Sequence, residues 1–539
     1  MQSVLLYLSG VFTTLLVLAT QPGAVALSSG LQQRYLRDKA SSDWPSLRFH
    51  FKVKRNCVGI FGHTDFSLFA NPVVSTDGSS VLYDVFGKFK DDTSVYNYTQ
   101  VDGVSYLRTT EEASDTSTTQ CLPSDMNEFP PVNAIVSALN EATPLSNANN
   151  PFKCDGSLFK VTANGFNFNL CALNNGFKMY GSEMDITVSY RKHRVKIVAP
   201  KSEGCEAEEI SSSVSSIGKA LLTGTQLAME ELRNLQPELS IWSDDDSDDD
   251  DSDDDDSCSC KSTPRPCIFI HGLGVKAESP VLEDSLPYWG KIIQDHAPCC
   301  TSIKFAHLNT VNYTWLNGTQ QQQVCDRALA VSNSSTKHVI KDTIVVTHSM
   351  GALMLAGAIA SGRCKLDPSS TWVSTAAPML GSMAPDYAQE VCAGDTNLIA
   401  EKLAQFKDQC PVQKATKSLA YFNGSYSSPR LNKAYKVVQE VYRTNVSAVM
   451  CSESYSGILS SYQASFWILG EMIPHKSKKN DGTVEFHSCS KGLDLAKFGD
   501  TYKSRFYRTK LNHYDMQFRA GDAFWNKAKM PVKWFECLL

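Results

Sequence analysis

Apolar and polar residues alternate at every second position in several short segments of the first half of the chain. The segments lie at 47–53, 81–86, 161–170, 184–190 and 195–198. Such alternation predicts β-strands with one buried face, and Asp-Gly or Asn-Gly pairs between segments predict tight turns. A helical stretch at 131–141 interrupts the strands. We therefore expect a β-rich α+β domain over 42–206, with a curled antiparallel sheet and this helix on its inner face.

The hydrophobic pattern changes after residue 264. Short, largely apolar segments at 267–270, 303–305, 342–346 and 372–375 alternate with helical segments such as 352–362. Continuous apolar runs are typical of strands buried on both faces, and strands that alternate with helices form parallel sheets. We expect a mostly parallel sheet with helices on both faces over 264–539.

The segment 207–263 connects the two halves. Helical spacing of apolar residues over 208–235 predicts an amphipathic connector, whereas 243–257 contains only Asp and Ser. So acidic a run cannot bury apolar surface, and we interpret it as an extended, solvated linker. It accounts for the negative net charge of −6. Elsewhere the sequence has no tract dense in Lys and Arg, which argues against a nucleic-acid partner.

The N-terminal residues have the pattern of a secretory signal. Residues 4–20 are almost wholly apolar or small, and Ala24-Val25-Ala26 resembles a signal-peptidase site. We expect a signal peptide at 1–26 and an exposed tail at 27–41. The expected destination is extracellular, with a vacuolar or lysosomal lumen as the alternative. In the tail, Arg34-Tyr35-Leu36-Arg37 resembles the RxLR element of secreted oomycete effectors, although a basic stretch without a function is the simpler interpretation.

The cysteine content also indicates an oxidising compartment. The chain has 17 cysteines and six Asn-X-Ser/Thr sequons, as expected for a disulfide-bonded glycoprotein. An odd number leaves at least one cysteine free or paired between chains. Zinc-finger spacing does not occur, which favours disulfides over metal binding. We expect Cys57, Cys121, Cys154 and Cys171 to cross-link the first half.

The segment Thr347-His348-Ser349-Met350-Gly351 follows a β-branched strand and precedes a helix rich in small residues. This pattern predicts a nucleophile elbow, the strained turn that holds a reactive serine clear of the backbone. Small residues on both sides of the serine let strand and helix approach each other. Gly351 meets this requirement, and Thr347 stands where glycine is usual. The helix N-terminus favours negative charge beside Ser349.

A second turn follows the first strand of this half, at His271-Gly272. A strand that ends in His-Gly makes a tight turn with exposed backbone N–H groups. The N–H groups of Leu273 and Met350 are therefore candidates for an oxyanion hole that stabilises charge generated by Ser349.

A nucleophilic serine needs a histidine base and an acid that orients it, in the chain order serine, acid, histidine for this elbow type. Asp481, in a sharp Asn-Asp-Gly turn, is the strongest acid candidate. His475 precedes this acid and His487 follows too closely, whereas His513 lies 32 residues later, which leaves room for a helix and a strand. We predict the triad Ser349, Asp481 and His513.

These motifs resemble the lipase branch of the α/β-hydrolase superfamily over about 264–539. The resemblance lies in HGLG at 271–274, THSMG at 347–351, STAAPMLGS at 374–382, NDGTV at 480–484 and NHYD at 512–515. The last two segments are similar to the acid and histidine segments of bacterial true lipases. DGTV also resembles the acid segment of lecithin–cholesterol and phospholipid–diacylglycerol acyltransferases, which usually lack the His-Gly turn. The resemblance implies an α/β-hydrolase fold.

The resemblance also bears on cofactors. Bacterial lipases of this kind often carry a structural calcium ion, with one aspartate two residues after the histidine. Asp515 occupies that place, but the sequence offers no convincing second ligand. We therefore expect no cofactor, and calcium is the one exception that the resemblance raises.

Together, the motifs and the resemblance predict a secreted serine hydrolase that cleaves carboxylic esters of lipids through an acyl-enzyme on Ser349. The same machinery serves a lipid acyltransferase or a phospholipase, and a non-catalytic lipid- or glycan-binding protein is the alternative from another class. The long segment 383–479 contains an apolar stretch at 462–473. We expect it to form a cap or lid over an apolar acyl-ester substrate, with transient contact to a membrane or lipid-droplet surface.

Overall fold

The computed structural model describes residues 43–123, 128–145, 154–201, 205, 207, 213–225, 258–394 and 410–539. The predicted signal peptide, the tail with its RxLR-like sequence and the Asp/Ser run lie outside the described residues. Below, the first half means the described residues up to 225, and the second half means those from 258 onward.

The first half contains one antiparallel sheet of eleven strands. In chain order the strands are β1 Ser46–Val53, β2 Asp65–Val74, β3 Val81–Lys90, β4 Ser94–Val101, β5 Val104–Glu111, β6 Thr116–Cys121, β7 Thr143–Leu145, β8 Leu158–Ala163, β9 Phe166–Leu173, β10 Gly176–Tyr180 and β11 Met184–Arg191. Their order across the sheet is β6-β5-β4-β3-β2-β1-β11-β10-β9-β8-β7. Neighbours in sequence are mostly neighbours in space, and β1 pairs with β11 in the interior of the sheet.

Two helices lie against this sheet. They are α1 Val132–Ala138, which continues as a short 3-10 turn, and α2 Ser216–Thr223. The buried Asn133 side chain accepts a hydrogen bond from the Tyr83 N–H at 2.8 Å and donates one to the Tyr83 carbonyl. This fixes α1 to β3. The helix expected at 131–141 is therefore present, whereas the connector helix expected at 208–235 is described only from 213 to 225 and is helical over α2.

Two predicted strands of the first half were wrong. The segment 161–170 is not one strand but the hairpin of β8 and β9, because Asn164 and Gly165 both have positive φ, as a two-residue turn requires. The segment 195–198 is not a strand. Its Val195 backbone is bonded to the Asn71 side chain of β2, and β2 has no free edge, since β1 and β3 occupy both sides.

The second half contains a parallel sheet of seven strands. These are β12 Arg265–Ile270, β13 Cys300–Ala306, β15 Ile344–His348, β17 Thr371–Thr375, β18 Val446–Ser452, β19 Phe498–Gly499 and β20 Phe506–Thr509, and the short strands β14 Val339–Ile340 and β16 Lys365–Leu366 form a separate pair. The order is β13-β12-β15-β17-β18-β20-β19. The helices are α3 Gly318–Leu329, α4 Met350–Ala360, α5 Met383–Ala393, α6 Lys414–Lys417, α7 Pro429–Asn445, α8 Gln463–Met472, α9 Phe486–Cys489 and α10 Pro531–Cys537. This architecture is compatible with an α/β hydrolase.

The two faces of the parallel sheet are covered differently. Helices α3, α4 and α7 pack on one face, where strand residues such as Ile268 and Val345 join a core made entirely by the second half. On the other face, Phe269 and Val346 join a core that contains α10 and also the buried side of the first sheet. Helices thus lie on both faces, but the first half covers part of one of them.

Aromatic rings and ion pairs hold the halves together. Phe524 packs edge-on to Phe51 of β1 and to Phe66 of β2, with ring centroids 5.7 and 5.6 Å apart. The Arg55 guanidinium of the first half lies 3.3 Å from the Asp522 carboxylate and 2.6 Å from that of Glu536. Because these groups are buried or nearly so, the contact is an extension of the core rather than a surface encounter.

The cap expected over 383–479 is not one continuous insertion. Within that range, α7 packs on α4 and β18 is a central strand of the parallel sheet. Among the described residues of that range, the helices α5, α6 and α8 remain as candidates for a cap, because a sheet strand cannot also cover the site. Residues 395–409 of the expected cap lie outside the described residues.

Sixteen of the 17 cysteines form disulfides. The pairs are Cys121–Cys205, Cys154–Cys171, Cys258–Cys537, Cys260–Cys299, Cys267–Cys300, Cys325–Cys364, Cys392–Cys410 and Cys451–Cys489. The prediction that Cys57 cross-links the first half was wrong, since it is the free thiol, buried 3.7 Å from Asp522. This many disulfides indicates folding in an oxidising compartment. No helix within the described residues is long and apolar enough to cross a membrane.

Candidate active site

Ser349 stands on the turn between β15 and α4. Its φ is +54°, which is strained for a residue with a side chain. A side chain at position 351 would collide with β12, because a Cβ there would lie 2.5 Å from the Ile270 carbonyl oxygen. Gly351 is therefore required for the close approach of helix and strand. Thr347 is accommodated in the core, where its hydroxyl accepts a hydrogen bond from the Trp372 indole N–H at 2.8 Å.

The structure brings Ser349, His513 and Asp481 into one chain of hydrogen bonds. His513 Nε2 lies 3.0 Å from Ser349 Oγ, and His513 Nδ1 lies 2.7 Å from Asp481 Oδ2. The three residues are only 5%, 7% and 1% exposed. Since a carboxylate only accepts, Nδ1 carries the proton, and Nε2 is left as the acceptor for the serine hydroxyl.

The Asp481 carboxylate is fixed by the turn that it occupies. Its Oδ1 accepts hydrogen bonds from the backbone N–H groups of Thr483 at 2.8 Å and Val484 at 2.6 Å. The His513 N–H donates to the Asp481 carbonyl at 2.9 Å, which ties the acid turn to the histidine turn. Gly482, at φ +88°, allows the chain to reverse directly after the acid. The Asp481 carboxylate is therefore held in place by its own turn and by the histidine turn.

The His-Gly turn lies directly against the serine. A Cβ on Gly272 would be 2.7 Å from Ser349 Cβ, so only glycine fits. His271 is fully buried, and its Nε2 accepts a hydrogen bond from the Leu308 N–H at 3.1 Å. Burial lowers the pKa of His271 to about 4, so this ring is neutral and its Nδ1–H is directed to the Gly272 carbonyl at 2.9 Å. His271 thus shapes the turn rather than reacting.

The two predicted oxyanion donors flank the serine. Leu273 lines the same cleft as Ser349. Met350 is the first residue of α4, and the first N–H groups of a helix have no partner within it. The start of α4 therefore suits the Met350 N–H to receive negative charge, and the Leu273 N–H stays a prediction.

Tyr288 connects these turns and was not predicted from the sequence. The Gly272 N–H donates to its hydroxyl at 3.0 Å, and the hydroxyl lies 2.6 Å from His348 Nδ1. His348 Nε2 lies 3.0 Å from the His513 carbonyl, which can only accept. Nε2 therefore carries the proton, and Tyr288 must donate to Nδ1. Burial lowers the pKa of His348 well below its usual value, in agreement with a neutral ring.

No sequence signal identified Tyr288, because a tyrosine 16 residues after the His-Gly turn belongs to no local pattern. The two histidines that chain order and spacing excluded lie elsewhere. His475 Nδ1 is 3.0 Å from Glu485, and His487 Nε2 is 2.6 Å from the Tyr421 hydroxyl.

Ser349 and His513 open into a cleft of about 400 Å³. Apolar residues from several elements form most of its wall, namely Leu273, Val311, Pro378, Ala384, Pro385, Ala388, Val412, Leu419, Phe466, Leu469, Ile473 and Val484. The contributions of α5 and α8 come from the region expected to form a cap. Such a cleft suits an apolar group with a reactive centre at one end.

Asp515, the predicted calcium candidate, follows His513 by two residues and is 1% exposed. Among the residues that the structure describes, no group of three or more His, Cys, Asp or Glu side chains is placed to hold a metal ion.

Comparisons with known proteins add little to this geometry. No family model matches the chain, and no curated protein matches its sequence. Among solved structures, the chain is similar to the crystal structure of Staphylococcus hyicus lipase, with 10% identity, a TM-score of 0.28, and coverage of 51% of this chain and 95% of that chain. A likeness this distant supports no conclusion about activity.

Proposed function

We propose that this protein is a serine hydrolase that cleaves carboxylic esters of lipids through an acyl-enzyme on Ser349. One observation carries the proposal, namely the buried hydrogen-bond chain from Ser349 through His513 to Asp481. Each residue comes from a different loop of the second half. A nucleophile, a base and an orienting acid in contact, beside a cleft, are what nucleophilic catalysis requires.

In the proposed mechanism, Ser349 Oγ attacks the ester carbonyl while His513 Nε2 takes the hydroxyl proton. Asp481 keeps the ring in the required tautomer and stabilises its positive charge. The N–H groups of Leu273 and Met350 receive the negative charge on the carbonyl oxygen. His513 then protonates the leaving alcohol, and a water molecule activated by the same ring releases the acid from Ser349.

The lining of the cleft favours an apolar acyl group. Helix α8 contributes Phe466 and Leu469 to the cleft, while Ile468 on the same helix is 39% exposed. A helix with apolar residues on both its cleft side and its outer side suits a lid that opens at a lipid surface. Turnover that rises sharply when the ester exceeds its solubility would support this lid, whereas equal turnover of dissolved and emulsified ester would contradict it.

The disulfides and the signal-like N-terminal sequence support export of the protein. Detection of the mature protein in the culture medium, with its N-terminus sequenced, tests this part of the proposal. Retention of the whole chain inside the producing cell would contradict it.

The direct test of the chemistry is covalent labelling with a fluorophosphonate probe. We expect the wild-type protein to be labelled, the Ser349→Ala variant to be unlabelled and inactive on a p-nitrophenyl ester, and Ser382→Ala to be labelled. Ser382 is a suitable control because it lines the same cleft, while its hydroxyl donates to the Thr483 carbonyl rather than to a base. Labelling of Ser349→Ala, or an unlabelled wild-type protein, would overturn the proposal.

A further inference from the structure

The turn that carries His513 is closed by the Asp515 side chain. Asp515 Oδ2 accepts hydrogen bonds from the Ile458 N–H at 2.8 Å and from the Asn512 N–H at 3.2 Å. Asn512 Oδ1 in turn accepts from the Asp515 N–H at 3.0 Å. The histidine turn is thereby bonded both to itself and to the chain segment at Ile458.

A buried lysine lies on the other side of that segment. Lys529 is fully buried, and its ammonium donates to the Gly457 carbonyl at 3.0 Å. The same ammonium forms an ion pair with Glu128 of the first half, which is 5% exposed. The peptide group between Gly457 and Ile458 therefore lies between two charges, with a cation at its oxygen and the Asp515 carboxylate at its N–H.

The residues around Asp515 do not fit the calcium ion that the lipase resemblance raises. The buried cation here is the Lys529 ammonium, and a divalent ion close to it would be strongly repelled. The packing is also close, since a Cβ on Gly457 would lie 2.8 Å from Asp515 Oδ2 and 2.4 Å from Asn512 Nδ2.

We propose that Lys529, held by Glu128 of the first half, supplies the positive charge that supports the His513 turn, so that the turn is positioned without a metal ion. The first half then has a specific role, because one of its carboxylates fixes the lysine. Glu128, Lys529 and Asp515 are positioning residues in this proposal. The activity readouts rest on the proposed hydrolase function, but the structural readouts do not.

The charges of the cluster support one another. Burial raises the pKa of Asp515 to about 7, and the hydrogen bonds from Ile458 and Asn512 together with the Lys529 charge oppose this rise. A buried ion without a partner is strongly unfavourable, and each charge in this cluster has one nearby. Removal of the lysine leaves the Glu128 carboxylate and the Gly457 carbonyl oxygen around an open space, and both are oxygen ligands of the kind that calcium takes.

The test is the Lys529→Ala variant with and without millimolar calcium. Without calcium, we expect kcat to fall by about 10- to 100-fold with little change in KM, as misplacement of a catalytic group does. With calcium, we expect a rise in Tm and partial recovery of kcat. Wild-type activity and Tm should not change with EDTA or with calcium.

Two matched lysine variants serve as controls. Lys533→Ala removes another buried ion pair between the halves, since Lys533 lies 2.6 Å from Glu183. Lys527→Ala removes an exposed lysine two residues away. Lys533→Ala should lower Tm without changing kcat or creating a response to calcium, and Lys527→Ala should behave as wild type.

Several results would overturn the proposal. They are a wild-type protein that loses activity or Tm in EDTA and regains it with calcium, a Lys529→Ala variant with wild-type kcat, or a defect in that variant that calcium does not relieve. If Lys529→Ala does not fold, the Glu128→Gln variant is measured in its place. An unchanged kcat in Glu128→Gln would also overturn the proposal. If the protein proves to have no esterase activity, the response of Tm to calcium still decides the question.

Discussion

The two sheets of this protein differ in how many faces they bury. In β1 of the first sheet, Phe49 and Phe51 are fully buried, whereas Arg48, the neighbour of Phe49 in the same strand, is exposed. In β12 of the second sheet, every residue from Cys267 to Ile270 is fully buried. The first sheet runs through tight antiparallel connections, whereas the parallel strands of the second need long crossovers. Loops therefore gather at the carboxyl ends of β12 and β15, where the candidate active site lies.

The difference between the sheets explains where chemistry can occur. Ser349 follows β15 and the His-Gly turn follows β12, so two adjacent parallel strands deliver both groups to the same edge. In an antiparallel sheet, by contrast, the carboxyl ends of neighbouring strands lie at opposite edges of the sheet. The first sheet instead supplies a broad apolar face, and the second half completes its core against that face.

Among the variants that test the comparison of the two sheets, we expect the largest effect from the loss of the Asp481 carboxylate in the candidate active site. We expect Asp481→Asn to lower kcat on the order of 10⁴-fold, because the amide leaves the His513 ring in the wrong tautomer. The control is Asp386→Asn, a buried aspartate near the cleft whose carboxylate accepts from the Tyr421 N–H and not from a histidine. Steady-state kinetics on a soluble ester distinguish the two, and equal losses would argue against the triad.

The next effect concerns the shared core. Phe524→Ala removes a ring that packs on β1 and β2, and we expect the free energy of unfolding to fall by about 3–5 kcal/mol. Both halves should lose structure in one transition, since they share the core. Phe69→Ala, on the outer face of β2 under Arg191, should cost less. Two separate transitions in denaturant would show that the sheets fold independently.

Acid should destabilise the protein through His271, a buried histidine of the second half. The pKa of His271 is lowered to about 4 by burial, so between about pH 6.5 and 4 the unfolded chain binds a proton that the folded chain does not. The free energy of unfolding then decreases as the pH falls, by up to about 1.4 kcal/mol per pH unit for this group. Urea unfolding at pH 7 and pH 5 measures this slope. His271→Gln should reduce it, and His193→Gln in the first half, at an exposed position, should not.

The smallest expected effect is at Tyr288. Tyr288→Phe removes the hydroxyl between the Gly272 N–H and His348, at a cost of about 1 kcal/mol for a hydrogen bond in the site. We expect kcat to fall roughly fivefold with KM unchanged. Tyr421→Phe, which removes a hydroxyl from the unrelated His487, is the control. A Tyr288→Phe variant with wild-type kcat would reduce this tyrosine to a packing residue.

Local patterns of apolar and polar residues predicted the strands that depend on neighbouring residues alone. The alternation at 47–53 and 184–190 became β1 and β11, and the apolar run at 267–270 became part of β12. The hairpin at Asn164 and Gly165 was missed although a signal exists. The apolar positions change from odd to even numbers across the turn, from Val161 and Ala163 to Phe168 and Leu170.

Other features had no local signal. Cys57 remained free because disulfide pairing depends on distance in the folded chain, and Cys121 lies beside Cys205 instead. The cap expected from the sequence included β18. The residues of a strand do not show which other strands it pairs with, so its place in the sheet could not be predicted. Its neighbours, β17 and β20, are distant in sequence.

The sequence by itself determined the strained turn at Ser349, because a β-branched strand, a small-residue helix and Gly351 act over neighbouring residues. It also reduced the choice of base to His513, by chain order and by the spacing from Asp481. Only the tertiary structure decided that His513 lies 3.0 Å from Ser349 Oγ, that Tyr288 connects the two turns and that Glu128 reaches Lys529. These contacts join residues far apart in the chain, and their geometry is set by how the two sheets pack together.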